Sequence, residues 1–583
     1  MQRKFVFGLV LITALVFGTV RFALAQEPGA DTIGDPFYGL LGNGGYDVQH
    51  YTLDLAVDVG ANTIDGTATI DALATQDLSA FNLDLLGFTI SAITVNGAAA
   101  TWDHQPHELT ITPAEPLLKD AAFTVSIAYS GRPSGMNIAA AGSMPNLSGW
   151  VNYGDGVFVA SEPAGAAGWY PVNDHPLDKA TYTLRITVPK PYMVAANGLL
   201  QDTIDNGESS TYVWELDDPA ASYLVSVEIG EFEVVIEEGP DGVLIRNYFP
   251  PKYAEIGQFT FGRTGDMIAF FEDLFGPYPF DAYGVVVVNT ALGFALENQT
   301  LSLFGADRIA AGGLIDEVVA HELSHQWFGD SVSLATWGDI WLNEGFATYA
   351  SWLWFEHAGN RASLDRRVTD SYNRIAADTR SFKITFTRDQ FLGLVQSMAS
   401  ADVSLPTDNV AQITRLLLTG TPGEDQIDAQ IAMLPPETVS VEQLAAYVTL
   451  LPFDTATLTS AQVDELFTLL TLYDQLDQPL TIPASHYAPP GKPDQRDLFN
   501  RGVYLRGALT LHALRLKVGD EAFFTILKTY YTRYQGSNAT TADFIGVAEE
   551  ISGQDLQAFF DDWLYAPVMP DIPEMGLSVT ADE

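Results

Sequence analysis

The stretch VVAHELSHQWFGD, residues 318–330, sets His321 and His325 four apart, with Glu322 directly after the first histidine. Taken from Gly313 (GLIDEVVAHELSHQWFGD), it predicts a helix. Ile315, Val318, Val319, Leu323 and Trp327 form an apolar stripe, Asp316 and Glu317 occupy the first turn where the helix dipole favours acids, and Gly329 ends it. Side chains four apart on a helix project from the same side, one turn apart. The two imidazoles can therefore share one tetrahedral Zn2+, while Glu322 points beside the metal, where a general base belongs.

Such a site needs a third ligand. Glu344 follows in WGDIWLNEGFATYASWLWF, residues 337–355, a second helical pattern so apolar that a buried glutamate is costly unless paired or metal-bound. Two nitrogens and one oxygen leave a fourth position for water, which is the arrangement of a catalytic zinc site and not a structural one.

The rest of the chain sets the frame. Its 583 residues, 47% hydrophobic and 17% charged, have the composition of a globular protein with room for two or three domains. A net charge of -46, from 74 acidic against 28 basic residues, disfavours nucleic acid and anionic membrane as partners. Arg3 and Lys4 precede the apolar run FVFGLVLITALVFGTV, and Ala23-Leu24-Ala25 precedes Gln26. This predicts a secretory signal peptide over 1–25, cleaved after Ala25, with no integral span afterwards. A secreted or periplasmic protein is expected, an uncleaved N-terminal anchor being the alternative. With no cysteine, no disulfide reinforces it.

From about residue 46 to 235 the pattern has period two, as in YTLDLAVDV, FTVSIAY, TYTLRITVP and STYVWEL, which predicts an antiparallel β domain over 26–238. Helical spacing then takes over, first in FTFGRTGDMIAFFEDLF, residues 259–275, with GVVVVNT, residues 284–290, read as a buried strand. The mostly helical domain is expected over 239–387 and 486–583, interrupted at 388–485 by a Leu-, Thr-, Asp- and Gln-rich helical insertion. The fold class is thus α+β and multidomain.

H-E-x-x-H followed by the glutamate of WLNEGFATY resembles the aminopeptidase N family of zinc metallopeptidases, the gluzincins. GFALENQT (293–300), WYPVNDHPLDKATY (169–182), GPYPF (276–280) and VYLRGALTLHAL (503–514) extend the likeness over most of the chain. The resemblance implies an N-terminal β saddle on a thermolysin-like catalytic domain, in a short form without the large C-terminal helical domain of longer members. It implies one Zn2+ held by His321, His325 and Glu344, with Glu322 as general base and Tyr504 as the oxyanion donor. It also implies peptide substrates with a free N-terminus, the ammonium anchored by Glu297 and Glu162. Ala295 and Asn298 would lie beside it, on an edge strand to which substrate backbone can add. Phe294, Leu296 and Ala160 depart from the family's usual residues, which bears on the first side-chain pocket. Asp174 and Lys179 are expected at the domain interface, and Arg506 as an ion-pair partner near the site. An endopeptidase, which would need no amine anchors, and a catalytically weak peptide-binding relative are the alternatives.

Overall fold

The structure is a computed structural model that describes residues 27–134, 149–310, 315–381, 383–386, 480–483, 487–495, 497–566 and 568–579. The signal peptide expected at 1–25 and nearly all of the insertion expected at 388–485 lie outside the described residues. On either side of the insertion, Lys383–Phe386 pairs antiparallel with Leu480–Pro483.

The alternating segments become the strands of the N-terminal domain. In Tyr46–Asp58 the residues Tyr51, Leu53, Leu55 and Val57 are buried while Asp54, Ala56 and Asp58 face water, and Ala180–Pro189 alternates likewise. One face of each strand thus feeds the core. The largest sheet has eight strands in the order Leu199–Asp205, Ser209–Ala220, Ala180–Pro189, Tyr46–Asp58, Thr63–Ala74, Ala122–Gly131, Thr89–Val95 and Ala98–Ala99. Its pairing is antiparallel except at the centre, where Ala180–Pro189 runs parallel to Tyr46–Asp58. There Tyr51 and Tyr182 sit opposite one another with rings stacked 5.0 Å apart. A four-stranded sheet of Gly149–Asn152, Val157–Ala160, Val227–Gly230 and Met193–Ala196 lies toward the catalytic domain, and the chain leaves Val157–Ala160 directly into Glu162.

GVVVVNT explains how the two halves join. Val285–Val288 lies inside a sheet ordered Glu233–Glu238, Leu244–Phe249, Val285–Val288, Ser302–Gly305, Ala295–Leu296. Val286, Val288 and Leu303 enter the core of the β domain, whereas Val285, Val287 and Phe304 enter the helical core. A strand covered on both faces needs a continuous apolar run. Glu233–Glu238 is the edge of this sheet, with Val234 packed against the β-domain core and Val235 against the helical core.

Among the described residues, the catalytic-domain helices of eight or more residues are α1 (Ala254–Phe261), α2 (Thr264–Phe275), α3 (Asp316–Ser324), α4 (Trp341–Ala358), α5 (Arg361–Ser381), α6 (Gly507–Val518), α7 (Asp520–Tyr534) and α8 (Thr541–Ser552). The single helix expected over 259–275 is broken, because the Thr264 hydroxyl takes the Phe261 carbonyl at 2.8 Å and starts α2 afresh. Helix α4 is buried on every side from Trp341 to Trp354, the form of a central helix. Trp352 and Trp354 are packing residues there, as their spacing suggests.

Candidate active site

Helices α3 and α4, the edge strand Ala295–Leu296 and the loop after Val157–Ala160 converge on one buried site. Helix α3 ends at Ser324 and not at the expected Gly329. His325 is its C-cap, still helical in backbone, and Nδ1 of His325 donates to the Phe328 carbonyl at 3.1 Å, drawing the following residues into tight turns. A carbonyl can only accept, so this bond keeps a proton on Nδ1 and makes Nε2 the nitrogen that offers a lone pair to a ligand once its own proton is lost. Glu344 occupies the first turn of α4, where the helix dipole favours an ionised carboxylate.

The ligand atoms meet closely. His321 Nε2 lies 3.1 Å from Glu344 Oε2 and 3.1 Å from His325 Nε2, and His325 Nε2 is 3.6 Å from Glu344 Oε2. Donor atoms of His321, His325 and Glu344 lie within 4.8 Å of one another. Two imidazole nitrogens and one carboxylate oxygen form the donor set of a three-ligand zinc centre.

Around this triad the charge does not balance. Glu297, Glu322 and His325 form a second group within the same 4.8 Å limit, and Glu162, Glu297 and Glu344 a third. Burial raises Glu162 and Glu322 well above the usual carboxylate range, with the neighbouring glutamates adding to it, and it raises Glu297 against the pull of His325. Burial opposes a charged His325, but Glu297, Glu344 and Glu322 outweigh it and lift its pKa to about 10. Burial also works against the Glu344 carboxylate, which His325 and His321 nevertheless hold at about 2. Asp330, buried close by, finds no hydrogen-bond partner for either oxygen among the described residues, and one oxygen each of Glu162 and Glu297 is likewise unpaired. Buried carboxylates persist when cations neutralise them. The site has room in its charge balance for a metal ion and for a second cation.

The remaining expected residues fall as follows. Tyr504 stacks on His321, with ring centroids 5.9 Å apart and planes at 16°. Burial, then Glu344, Glu162 and Glu297, raises its pKa well above 10, which keeps the phenol protonated and able to donate. Ala295 is half-buried in the edge strand, while Asn298 is buried with both side-chain polar atoms unpaired among the described residues. The edge strand spans only Ala295–Leu296, because the Asp307 carboxylate accepts from the Leu292 and Gly293 N–H groups and folds the preceding stretch into a loop. Lys179 does bridge the domains, its ammonium donating to the carbonyls of Asp330 (2.8 Å) and Ser331 (3.0 Å). Asp174 does not. It accepts from the Ser222 hydroxyl and from the N–H groups of Gly165 and Ala167, bracing the Glu162 loop from within the β domain. Arg506 makes no ion pair among the described residues but donates to the carbonyls of Trp563, Asp562 and Ala566.

Three supports escaped the sequence reading. Gln326 donates to the Glu297 carbonyl (2.9 Å) and accepts from Thr300 N–H (2.8 Å), tying the segment of the proposed anchor to the loop after α3. Asn197 donates to the carbonyls of Leu224 and Gln299. Asp35 joins His175 of the β domain (3.0 Å) to the Trp337 N–H before α4 (3.0 Å). Gln326 stands directly after His325, the one signal that could have found it.

Comparison with known proteins bears on this geometry. Residues 259–389 and 442–563 match the peptidase family M1 domain, and residues 47–224 the peptidase M1 N-terminal domain. Aminopeptidase 2 of Candida albicans is 26% identical over 340 residues, 55% of this chain and 36% of that protein. Endoplasmic reticulum aminopeptidase 1 of Homo sapiens is 27% identical over 334 residues, 52% of this chain and 34% of that protein. The chain thus spans about a third of the length of these curated relatives. An M1 zinc metallopeptidase from Deinococcus radiodurans superposes with a TM-score of 0.67 at 27% identity, covering 93% of this chain and 98% of the other. A mutant M1 zinc metallopeptidase from Deinococcus radiodurans, solved with a Tyr-Ser-Ala substrate, matches with a TM-score of 0.65 at 26% identity, covering 93% of this chain and 100% of the other.

Proposed function

The chain belongs to peptidase family M1, and on that footing we propose that it is a zinc-dependent aminopeptidase removing N-terminal residues from peptides. The carrying observation is the excess of carboxylates, the half-buried Glu162 and the buried Glu297 among them, within 4.8 Å of Glu344. An exopeptidase must recognise a free α-ammonium at a set distance from the scissile bond, and unpaired buried carboxylates do that by charge-assisted hydrogen bonds.

His321, His325 and Glu344 would hold the zinc, which when bound supplies a Lewis acid that polarises the scissile carbonyl and acidifies water. Glu322 takes the proton of the attacking water and returns it to the leaving amine. Tyr504, kept neutral by burial, donates to the oxyanion of the tetrahedral adduct. Glu297 and Glu162 receive the ammonium, and the free side of Ala295–Leu296 takes the substrate backbone as an added strand. Residues 1–25 support export, with the enzyme acting outside the cytoplasm from Gln26 onward. Among the described residues no helix is long and apolar enough to cross a membrane.

The test compares amino-acid arylamides bearing a free amine with their N-acetylated forms, with and without a zinc chelator. Chelator-sensitive cleavage of the free-amine substrates alone is expected. Cleavage of blocked peptides would make the protein an endopeptidase, and no cleavage by the zinc-loaded protein would make it a binding protein.

A further inference from the structure

Tyr504 and Glu344 stand on different helices, so whatever sets the separation of those helices sets the relation of the hydroxyl to the metal site. Gly345, directly after Glu344, and Gly507, three residues after Tyr504, form the crossing. A methyl group on Gly345 would lie 3.0 Å from the Cα and carbonyl carbon of Gly507, and one on Gly507 would lie 3.0 Å from the Cα of Gly345. Both contacts are with backbone, which cannot swing aside as a side chain can. The two helices touch main chain to main chain only because neither residue has a Cβ.

The turn bearing Tyr504 is itself unusual. Gly502–Arg506 is a π-turn closed by the Gly507 N–H on the Gly502 carbonyl, a wide turn of the kind that recurs at functional sites. Asn500 starts it, its side chain accepting from Gly502 N–H at 2.8 Å. Arg506 ends it. The buried guanidinium reaches the carbonyls of Trp563 (2.8 Å), Asp562 (2.9 Å) and Ala566 (2.7 Å), in and just after a second π-turn, Asp561–Tyr565. Carbonyls at a helix C-terminus lack intrahelical partners and carry the negative end of the dipole, which suits a cation that has no carboxylate. The Tyr504 turn is therefore pressed against α4 on one side and clamped to the C-terminal segment on the other.

We propose that the Gly345–Gly507 crossing and the Arg506 clamp form a positioning device that sets the Tyr504 hydroxyl relative to the Glu344 carboxylate. None of the three residues is a catalytic residue, as each acts through Tyr504. The inference rests on the aminopeptidase reading.

Gly507→Ala and Arg506→Lys are measured against Gly546→Ala, a control at an exposed position of helix α8 where an added methyl meets nothing within 4 Å. In zinc-loaded, folded Gly507→Ala, kcat is expected to fall about ten- to a hundred-fold with KM within about twofold, since a small misplacement of a catalytic group has that cost. Arg506→Lys is expected to follow the same pattern more weakly, and serves alone if Gly507→Ala does not fold. In a Tyr504→Phe background neither substitution should lower kcat further, because the group they position is gone. An equal loss in both backgrounds would overturn the proposal, as would an unchanged kcat. Calorimetry gives a readout free of turnover, comparing a tetrahedral aminophosphonic acid with the corresponding amino acid. The variants should lose affinity for the phosphonate and not for the amino acid. A wild type that does not prefer the phosphonate contradicts the aminopeptidase reading and the proposal with it. A wild type that does, with variants that prefer it equally, contradicts the positioning proposal alone.

Discussion

The Tyr504 ring lies parallel to the imidazole of His321, 5.9 Å away at 16°, although Tyr504 reaches the site on a separate stretch of chain, next to helix α6. Through His321, which bonds Glu344 at 3.1 Å, the phenol is locked into the geometry of the ligand triad. Removing its hydroxyl while keeping its ring separates donation from packing. Tyr504→Phe is expected to lower kcat by roughly 10²–10³ with little change in KM, the usual cost of one oxyanion donor. Steady-state kinetics on an arylamide check this, and a variant changed only in KM would remove Tyr504 from the mechanism.

The carboxylate excess makes metal removal a structural event as well as a catalytic one. Without zinc, Glu162, Glu297, Glu322, Glu344 and Asp330 crowd around His325, whose pKa Glu297, Glu344 and Glu322 raise, while burial lowers that of His321; Arg308 acts on Glu322 and Lys179 on Asp330. A ligand at about a hundred times its Kd stabilises the fold it binds by ~2.7 kcal/mol. Chelation is expected to abolish activity and lower Tm together, with both restored by added zinc. Glu344→Gln should reproduce the loss by weakening zinc binding, as metal analysis would read.

The amine anchors should act on binding. A hydrogen bond to a charged group is worth roughly 1.5–3 kcal/mol, so Glu297→Gln is expected to weaken kcat/KM for free-amine substrates by about ten- to a hundred-fold. Glu162→Gln should do so less. Neither should improve cleavage of N-acetylated substrates to the wild-type free-amine level. Equal kinetics for Glu297→Gln and wild type would dismiss the anchor.

Lys179 ties the β domain to the loop after α3 through two main-chain carbonyls. Burial lowers its pKa to about 8, despite Asp330 and Asp218 nearby. Lys179→Met removes two hydrogen bonds but also the burden of a buried charge, so a net loss of about 1–3 kcal/mol is expected. Denaturant unfolding of the two proteins at pH 7 measures it, and an unchanged midpoint would contradict the role.

Glu228 gives a pH dependence remote from the metal ligands. Burial raises its carboxyl from 4.5 to about 8, against the Ser226 hydroxyl, the Val159 backbone and Arg246. Below pH 4.5 both folded and unfolded chains hold the proton. Between 4.5 and 8 only the folded chain does, so stability falls as pH rises through that window. Glu228→Gln should match the wild type near pH 4.5 and exceed it by roughly 4 kcal/mol at pH 8. A stability difference that did not change with pH would refute the assignment.

What the sequence revealed and what it hid follow one division. His321, Glu322 and His325 were legible because helical spacing converts sequence distance directly into spatial distance, and Glu344, on a separate helix, because a glutamate inside so apolar a run is costly to bury unless paired or metal-bound. The two-domain fold class was legible because period two turns to period 3.6 partway along the chain, and Val285–Val288 because a strand covered on both faces is apolar throughout. Lys179 on Asp330, Asp35 on Trp337 and Arg506 on Trp563 were not, since each joins stretches far apart in the chain and no local period encodes such a contact. The early end of α3 was hidden for a related reason: Gly329 is a proper stop signal, but the His325–Phe328 bond breaks the helical regularity first.

Anomalous diffraction at the zinc edge, from crystals soaked with an amino acid product, tests the central claim most directly. The account predicts one zinc about 2.0–2.2 Å from His321 Nε2, His325 Nε2 and a Glu344 oxygen, with the ammonium of the amino acid about 2.7–2.9 Å from carboxylate oxygens of Glu297 and Glu162. Zinc bound elsewhere, or an ammonium turned away from those two glutamates, would contradict it.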